Sequence, residues 1–174
     1  FSLMGGDKNL GLLSRLGLGV RFEAGDLFSK LFTGSFESRD MWTSPLPVMF
    51  CGLLITLLLF LYFFNRRIRF REKVAAGIWL AVMFCGFQVE ALYLVWHAFN
   101  FPIGFPSRQA FLFSFTMIYL ACRGFVRLRG GVKRRHLAIA LTLFMLIAAM
   151  VARQQYGYLT LAGIGFDVLV AAVL

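Results

Sequence analysis

Long apolar runs, separated by short charged stretches, occupy most of the chain. A helix that crosses a bilayer needs roughly 20 mostly apolar residues at about 1.5 Å of rise each. Five stretches approach that length, the fifth being cut off by the end of the sequence: 46–64, 74–96, 109–126, 137–152 and 159–174. The pattern therefore predicts an all-α fold, a polytopic transmembrane helix bundle with four full spans and a truncated fifth.

The first 45 residues have a different pattern. Residues 1–45 carry five basic and five acidic side chains, and their many glycines disfavour one long helix. Asp26 is a good N-cap residue, and the apolar side chains of 27–32 fall on one helical face. We expect 1–45 to be an external, partly helical interfacial segment. It either lies in the outer membrane interface or packs over the bundle formed by 46–174.

Composition and charge support a membrane protein. The hydrophobic share is 60% and the mean hydropathy is +0.77, which exceeds the apolar share of about 45–50% usual for soluble domains. Eleven of the 18 basic residues lie in two stretches between apolar runs. Basic residues near span ends mark the cytoplasmic side, so we expect 66–73 and 127–135 to be cytoplasmic and 1–45 and 97–108 to be external. This clustering argues against a nucleic-acid-binding face.

The cysteines and the absent motifs limit the chemistry. Cys51, Cys85 and Cys122 lie in different apolar stretches, at different expected depths, which favours packing roles over disulfides. No metal-ligand spacing, phosphate-binding loop or dinucleotide fingerprint occurs in the sequence, so neither a metal nor a cofactor is predicted.

The loop between the second and third apolar stretches has the most distinctive sequence. Within a few residues it holds two prolines, several aromatic residues, His97, Asn100 and Arg108. Proline stiffens the backbone, and a rigid aromatic loop at a membrane surface suits a lipid-borne ligand. Aromatic residues also serve as plain interface anchors, and the residues alone leave both interpretations open.

Arg108 is the strongest single candidate for binding. It stands at the expected start of a helix at the outer boundary, where a guanidinium and helix amide groups grip a phosphate. The alternative is an arginine that reaches lipid headgroups. The spacing also allows Glu90, His97, Arg153 and Asp167 to converge near Arg108 in the outer half of the bundle. A structural ion pair between helices is the competing explanation for these charges.

The loop and its flanks resemble a known family. The text Trp96-His97-Ala-Phe-Asn100-Phe-Pro-Ile-Gly-Phe-Pro-Ser-Arg108, followed by Phe111-Leu-Phe-Ser-Phe115, is similar to the signature of the bacterial YfhO family. Upstream, Leu27–Phe32 and Pro47–Leu53 fit the same family. Ala98, Ile103–Gly104 and Ser107 depart from its usual text.

The resemblance implies a GT-C-type membrane glycosyltransferase. Such a protein takes a sugar from a polyprenyl-phosphate carrier and adds it to a cell-envelope polymer, such as a teichoic acid, on the outer face of the bacterial cytoplasmic membrane. In that fold the catalytic acid typically lies in the first external loop. Because the sequence starts at Phe1 and ends inside an apolar run, we expect an internal fragment without that acid.

Two other functions stay open on the sequence. A transporter or lipid-carrier flippase would need broken helices and polar groups near the midplane, whereas most central positions here are apolar. A non-catalytic membrane scaffold would use its polar residues only to hold helices together. The expected partners are the lipid bilayer, a polyprenyl-phosphate-linked sugar and an envelope polymer acceptor.

Overall fold

The structure is a computed structural model that describes residues 20–36, 46–99, 107–128, 133–154 and 156–173. Within these ranges it contains seven α-helices and no β-strand, which confirms the predicted all-α class. In chain order they are α1 (Ala24–Ser29), α2 (Leu53–Phe64), α3 (Phe70–Gln88), α4 (Glu90–Trp96), α5 (Ala110–Val126), α6 (Arg134–Gln154) and α7 (Leu161–Val173).

Two of the predicted helical stretches need correction. The stretch 46–64 becomes helical only at Leu53, because Pro47 disfavours helix in the residue before it and Gly52 adopts φ +100° as the N-cap. The prediction of one continuous helix across 74–96 was also wrong. Helix α3 ends at Gln88, and α4 begins at Glu90 after one extended residue, Val89 (φ −91°, ψ 122°).

The break at Val89 is held by the segment that precedes α1. Val20 forms an isolated antiparallel bridge with Val89, and the Arg21 backbone N–H donates to the Gln88 carbonyl oxygen at 2.8 Å. The Gln88 side-chain amide also donates to the Phe22 carbonyl oxygen at 3.3 Å. Backbone groups freed by the end of α3 therefore find partners in a segment far away in sequence.

Helix α2 is the centre of the bundle. It packs against α5, α6 and α7, and α3 also packs against α5. The closest approach is at Gly124 of α5, where a Cβ atom would lie only 3.0 Å from Tyr62 Cβ and 3.2 Å from Tyr62 Cα. Glycine thus permits the contact between α2 and α5.

Helix α1 and the turns after it are wedged into the bundle. Leu27 is fully buried in the apolar cluster between α2, α3 and α5, and Phe32 is fully buried in the cluster between α2, α6 and α7. The ring centroids of Phe32 and Phe144 are 5.3 Å apart. Of the two placements left open for this amphipathic turn, the structure shows packing onto the helices.

Membrane-length helices are fewer than the sequence predicts. Among the described residues, one helix, Arg134–Gln154, is long and apolar enough to cross a membrane by length and composition. Shorter apolar helices lie at Leu53–Phe64, Ala110–Val126 and Leu161–Ala171. Helix α3 is long enough, but Arg71, Glu72 and Lys73 lie in its first turn.

The charged loops meet at one end of the bundle, called here the Glu72 end. The Glu72 carboxylate accepts hydrogen bonds from Arg123 Nε and from Arg123 Nη2, the latter at 3.0 Å, and lies 3.6 Å from Arg127 Nη1. The Tyr62 hydroxyl donates to the same carboxylate at 3.3 Å. Glu72 therefore ties α2, α3 and α5 together, a role that the sequence analysis missed because it treated this loop only as basic.

Candidate functional site

The opposite end of the bundle, called here the Tyr93 end, gathers polar side chains around one aromatic ring. The backbone pairing of Arg21 with Gln88 places the Arg21 guanidinium over the ring of Tyr93, with Cζ 3.5 Å from the ring centroid. Its Cζ also lies 5.0 Å from the centroid of the Phe22 ring. These cation–π contacts hold the guanidinium in place without neutralising its charge.

Sequence reasoning did not single out Arg21. Residues 1–45 carry equal numbers of basic and acidic side chains, so no single cation of this segment stands out in the sequence. The available signal was local: Arg21 is flanked directly by Val20 and Phe22, which suits a cation held against apolar surface.

His97 lies one turn after Tyr93 and packs against the same ring, with the two ring centroids 4.3 Å apart. Its Nδ1 is 2.9 Å from the Tyr93 carbonyl oxygen, a geometry in which Nδ1–H donates. In the neutral ring, this bond leaves the lone pair on Nε2. Among the described residues, the buried Nε2 atom has no hydrogen-bond partner.

Arg108 and Gln109 approach the cluster from the start of α5. Arg108 is exposed and acts electrostatically on the Tyr93 hydroxyl, as Arg21 does. Gln109 is 6% exposed, and its Nε2 lies 3.5 Å from the Gly86 carbonyl oxygen. Its Oε1 atom is buried and has no partner in the part of the chain that the structure describes.

The unsatisfied atoms define what this cluster can bind. Arg21 Nη1 is a buried donor without a hydrogen-bond partner among the described residues, whereas His97 Nε2 and Gln109 Oε1 are acceptors in the same condition. Leaving such groups unpaired costs about 1–3 kcal/mol each. A ligand with an anionic group and hydroxyl groups has the functions that would satisfy both kinds of atom.

The other predicted site residues are not all brought together. Glu90 is half-buried in the first turn of α4, and within the described residues no ion pair or hydrogen bond joins its side chain to Arg108 or Arg153. Arg153 is exposed in the last turn of α6. The structural ion pair that was the competing explanation for these charges is therefore not found for Glu90 among the described residues. Asn100 lies outside the described residues.

Asp167 has a structural partner. It is 1% exposed in α7, and its two carboxylate oxygens accept hydrogen bonds from the Thr33 backbone N–H at 2.8 Å and from the Thr33 hydroxyl at 2.6 Å. These bonds fasten the turn after α1 to α7. Asp167 thus has a structural role in holding this turn against α7.

A second polar group fastens α1 to the loop after α6. The Tyr156 hydroxyl donates to Asp26 Oδ1 at 2.8 Å, and Ser29 and Tyr158 share a hydrogen bond of 2.7 Å between their hydroxyls. The Lys30 Nζ lies 4.0 Å from the centroid of the Tyr158 ring. Burial and the bond to Asp26 raise the pKa of the Tyr156 phenol. This group was also missed, since its members are 130 residues apart in sequence.

No metal-binding group of three or more suitable side chains occurs within the described ranges. The three cysteines are free thiols, with Cys122 exposed and Cys51 and Cys85 half-buried.

Comparison with known proteins places the chain in a family. No curated protein and no solved structure matches it. The sequence profile of a family described as bacterial membrane protein YfhO matches residues 17–174, which include the Arg21 segment, the His97–Arg108 loop and all seven helices. The chain therefore belongs to the YfhO family of bacterial membrane proteins.

Proposed function

We propose that this protein is a membrane glycosyltransferase that moves a sugar from a polyprenyl-phosphate carrier to a cell-envelope polymer on the outer face of the membrane. The observation that supports it most is the buried Nη1 of Arg21, which has no hydrogen-bond partner among the described residues and lies beside a ring on which Arg108 also acts. The residues described here would hold the donor substrate.

The carrier phosphate is the group suited to the guanidinium groups. Arg21 is already oriented by its ring contacts, so little conformational freedom is lost when it binds an anion. Arg108 is exposed and unpaired with any described carboxylate, so it is available from the solvent side. Arginine matches phosphate geometry through two parallel N–H donors.

The hydroxyl groups of a sugar are suited to the two remaining buried polar atoms. His97 Nε2 and Gln109 Oε1 are acceptors, and sugar hydroxyls are donors. A free phosphate would satisfy the arginines but not these two acceptors. The combination favours a sugar linked to a phosphate over either group alone.

An apolar groove lined by residues of α1, α3 and α5 suits the prenyl chain. It has a volume of about 270 Å³ and is lined by Phe28, Leu80, Ala81, Phe84, Cys85 and Phe113. Cys85 precedes Gln88, the backbone partner of Arg21, by three residues, or about 4.5 Å along α3. A phosphate at Arg21 would thus have apolar surface for its lipid chain about one turn away.

The topology belongs to the same proposal. We infer a multi-pass arrangement with five membrane-crossing segments, the Glu72 end in the cytoplasm and the Tyr93 end outside. Helices other than α6 also expose large apolar side chains. These include Ile78 on α3, Phe111 and Phe115 on α5, and Phe166 on α7. Contiguous exposed apolar surface of this kind suits contact with lipid.

The alternative is a transporter or lipid-carrier flippase, and the break at Val89 is the observation that favours it. Transporters use broken helices whose unwound backbone lines a substrate cavity. Here the Gln88 carbonyl is occupied by Arg21, and Val89 is bridged to Val20. Because this backbone is closed off by the chain itself, we favour the transferase. A non-catalytic scaffold would not need the unpartnered polar atoms.

The test uses a photoactivatable polyprenyl phosphate sugar and cells that make the intact protein. We expect Arg21→Gln to reduce both labelling of the protein by the probe and envelope sugar content at least tenfold, since a charge-assisted hydrogen bond contributes about 1.5–3 kcal/mol. The matched control is Arg71→Gln, which removes one exposed arginine at the Glu72 end. It should change neither quantity.

The outcomes separate the alternatives. Normal labelling and normal sugar content in Arg21→Gln, at equal protein levels, would refute the proposed donor site. Normal labelling together with lost accumulation of the carrier on the outer leaflet would favour the flippase.

A further inference from the structure

The Glu72 end carries a large excess of positive charge. Loop 65–69, the first turn of α3, the last turn of α5 and the start of α6 all meet there, since Glu72 contacts Arg123 and Arg127, and Phe64 stacks on His136 with a centroid distance of 6.3 Å. Among the described residues of this end, Glu72 is the one carboxylate.

That carboxylate is already used. It binds Arg123 through two hydrogen bonds and contacts Arg127, and the bonds from Arg123 hold the pKa of Glu72 below its ordinary value. It therefore has little capacity to neutralise other cations. Seven basic residues of this end have no ion pair with any described residue: Arg66, Arg69, Arg71, Lys73, Lys133, Arg134 and Arg135.

Four of these cations act electrostatically on one imidazole. Loss of solvent at its ring, together with the charges of Arg135, Lys133, Arg66 and Lys73, lowers the pKa of His136. Arg66 and Lys73 belong to the loop before α3 and its first turn, and Lys133 and Arg135 to the start of α6. The stacked rings of Phe64 and His136 bring these two segments together. We call these four cations and His136 the His136 site.

Apolar surface adjoins this charge. Phe70 begins α3 and is 79% exposed, and Val74, one turn later, is 41% exposed. A cationic site bordered by exposed aromatic and aliphatic side chains, at the end of a helix bundle in a membrane, matches the boundary between phospholipid headgroups and acyl chains.

We propose that the His136 site binds the phosphate of an anionic phospholipid, phosphatidylglycerol or cardiolipin, in the leaflet at the Glu72 end. Four cations without a counter-ion repel one another, and a phosphodiester placed among them removes that repulsion. The headgroup of a zwitterionic lipid carries its own cation, so its phosphate neutralises less of the positive charge at the site. This site is separate from the Tyr93 end and does not depend on the proposed transferase activity.

The experiment measures lipid retention by the intact protein. The protein is purified in a zwitterionic detergent, mixed with phosphatidylglycerol, cardiolipin or phosphatidylcholine, and examined by native mass spectrometry for bound lipid. We expect retention of the two anionic lipids at concentrations at least tenfold below those needed for phosphatidylcholine, and weaker retention as salt increases. Equal retention of all three lipids would overturn the proposal.

Substitutions locate the site. In Arg66→Gln/Lys73→Gln/Arg135→Gln we expect retention of phosphatidylglycerol to weaken on the order of a hundredfold, because each juxtamembrane cation contributes about a factor of five. If this variant does not fold, each single substitution should give about a fivefold loss by the same reasoning. Arg153→Gln removes one exposed charge from the Tyr93 end and serves as the matched control. A loss as large in Arg153→Gln as in Arg66→Gln would contradict the assignment.

A competition experiment identifies the ligand. Inorganic phosphate at millimolar concentration should not displace phosphatidylglycerol, because it lacks the acyl chains that contact Phe70 and Val74. Displacement by inorganic phosphate would show that the site takes a free anion, and the lipid proposal would be wrong.

Discussion

The hydrogen bonds between Asp167 and Thr33 help to fasten the segment around α1 to the bundle. The carboxylate accepts one hydrogen bond from the Thr33 backbone N–H and one from its hydroxyl, at 2.8 and 2.6 Å. Bonds to a charged group contribute about 1.5–3 kcal/mol each, and because Thr33 is exposed we take the lower figure. Asp167→Ala should therefore weaken docking of this segment by about 3 kcal/mol, or roughly a hundredfold in the opening equilibrium.

Ser35 allows that opening to be measured locally. It is 1% exposed, and its hydroxyl has no hydrogen-bond partner among the described residues, so Ser35→Cys loses little. In a background without the three native cysteines, the new thiol reacts with maleimide only when the segment opens. We expect Asp167→Ala to raise the labelling rate about a hundredfold and Thr33→Val, which loses one bond, about tenfold.

The double variant provides the decisive comparison. Once Asp167 is alanine, the Thr33 hydroxyl has lost its acceptor, so Thr33→Val should add almost nothing further. Rates that multiply in the double variant would show that the two side chains act independently. An unchanged labelling rate in Asp167→Ala would refute the reasoning altogether.

Three further predictions concern function, orientation and stability. Arg108→Ala should reduce carrier use tenfold or more and Arg108→Lys less, because lysine keeps the charge but loses the two-pronged geometry; normal envelope sugar content in Arg108→Ala, at equal protein levels, would make it a headgroup anchor. Ile103→Cys should react with an impermeant thiol reagent in intact cells and Gly131→Cys should not; the reverse would contradict the proposed orientation. Glu72→Gln should lower the melting temperature by a few degrees at pH 7. Because the pKa of Glu72 lies below its ordinary 4.5, the stabilisation from the native carboxylate should be complete above that pH and disappear as the pH falls further; an unchanged acid profile in Glu72→Gln would exclude this role.

The sequence by itself determined the class of the protein. Long apolar runs favour helix, since a helix pairs most of its backbone polar groups within its own segment. The loop sequence from Trp96 to Arg108 is a local feature as well. It is sufficient to indicate the family that the profile match establishes. The proline and the glycine within 46–52 also indicate, from the sequence alone, that α2 begins only near Leu53.

Only the tertiary structure decided the break at Val89 and the makeup of the candidate site. Nothing in Gln88-Val89-Glu90 forbids helix, and the chain leaves it there because Val20 and Arg21, almost 70 residues away, pair with that backbone. Arg21 becomes a candidate ligand for the same reason, as its guanidinium reaches Tyr93 only through this pairing. Likewise Asp167 and Glu72 took their roles from Thr33 and Arg123, partners on other elements. Hydropathy and spacing describe what a segment is suited to, whereas the choice among partners of similar chemistry depends on which segments the packing of the whole chain brings into contact.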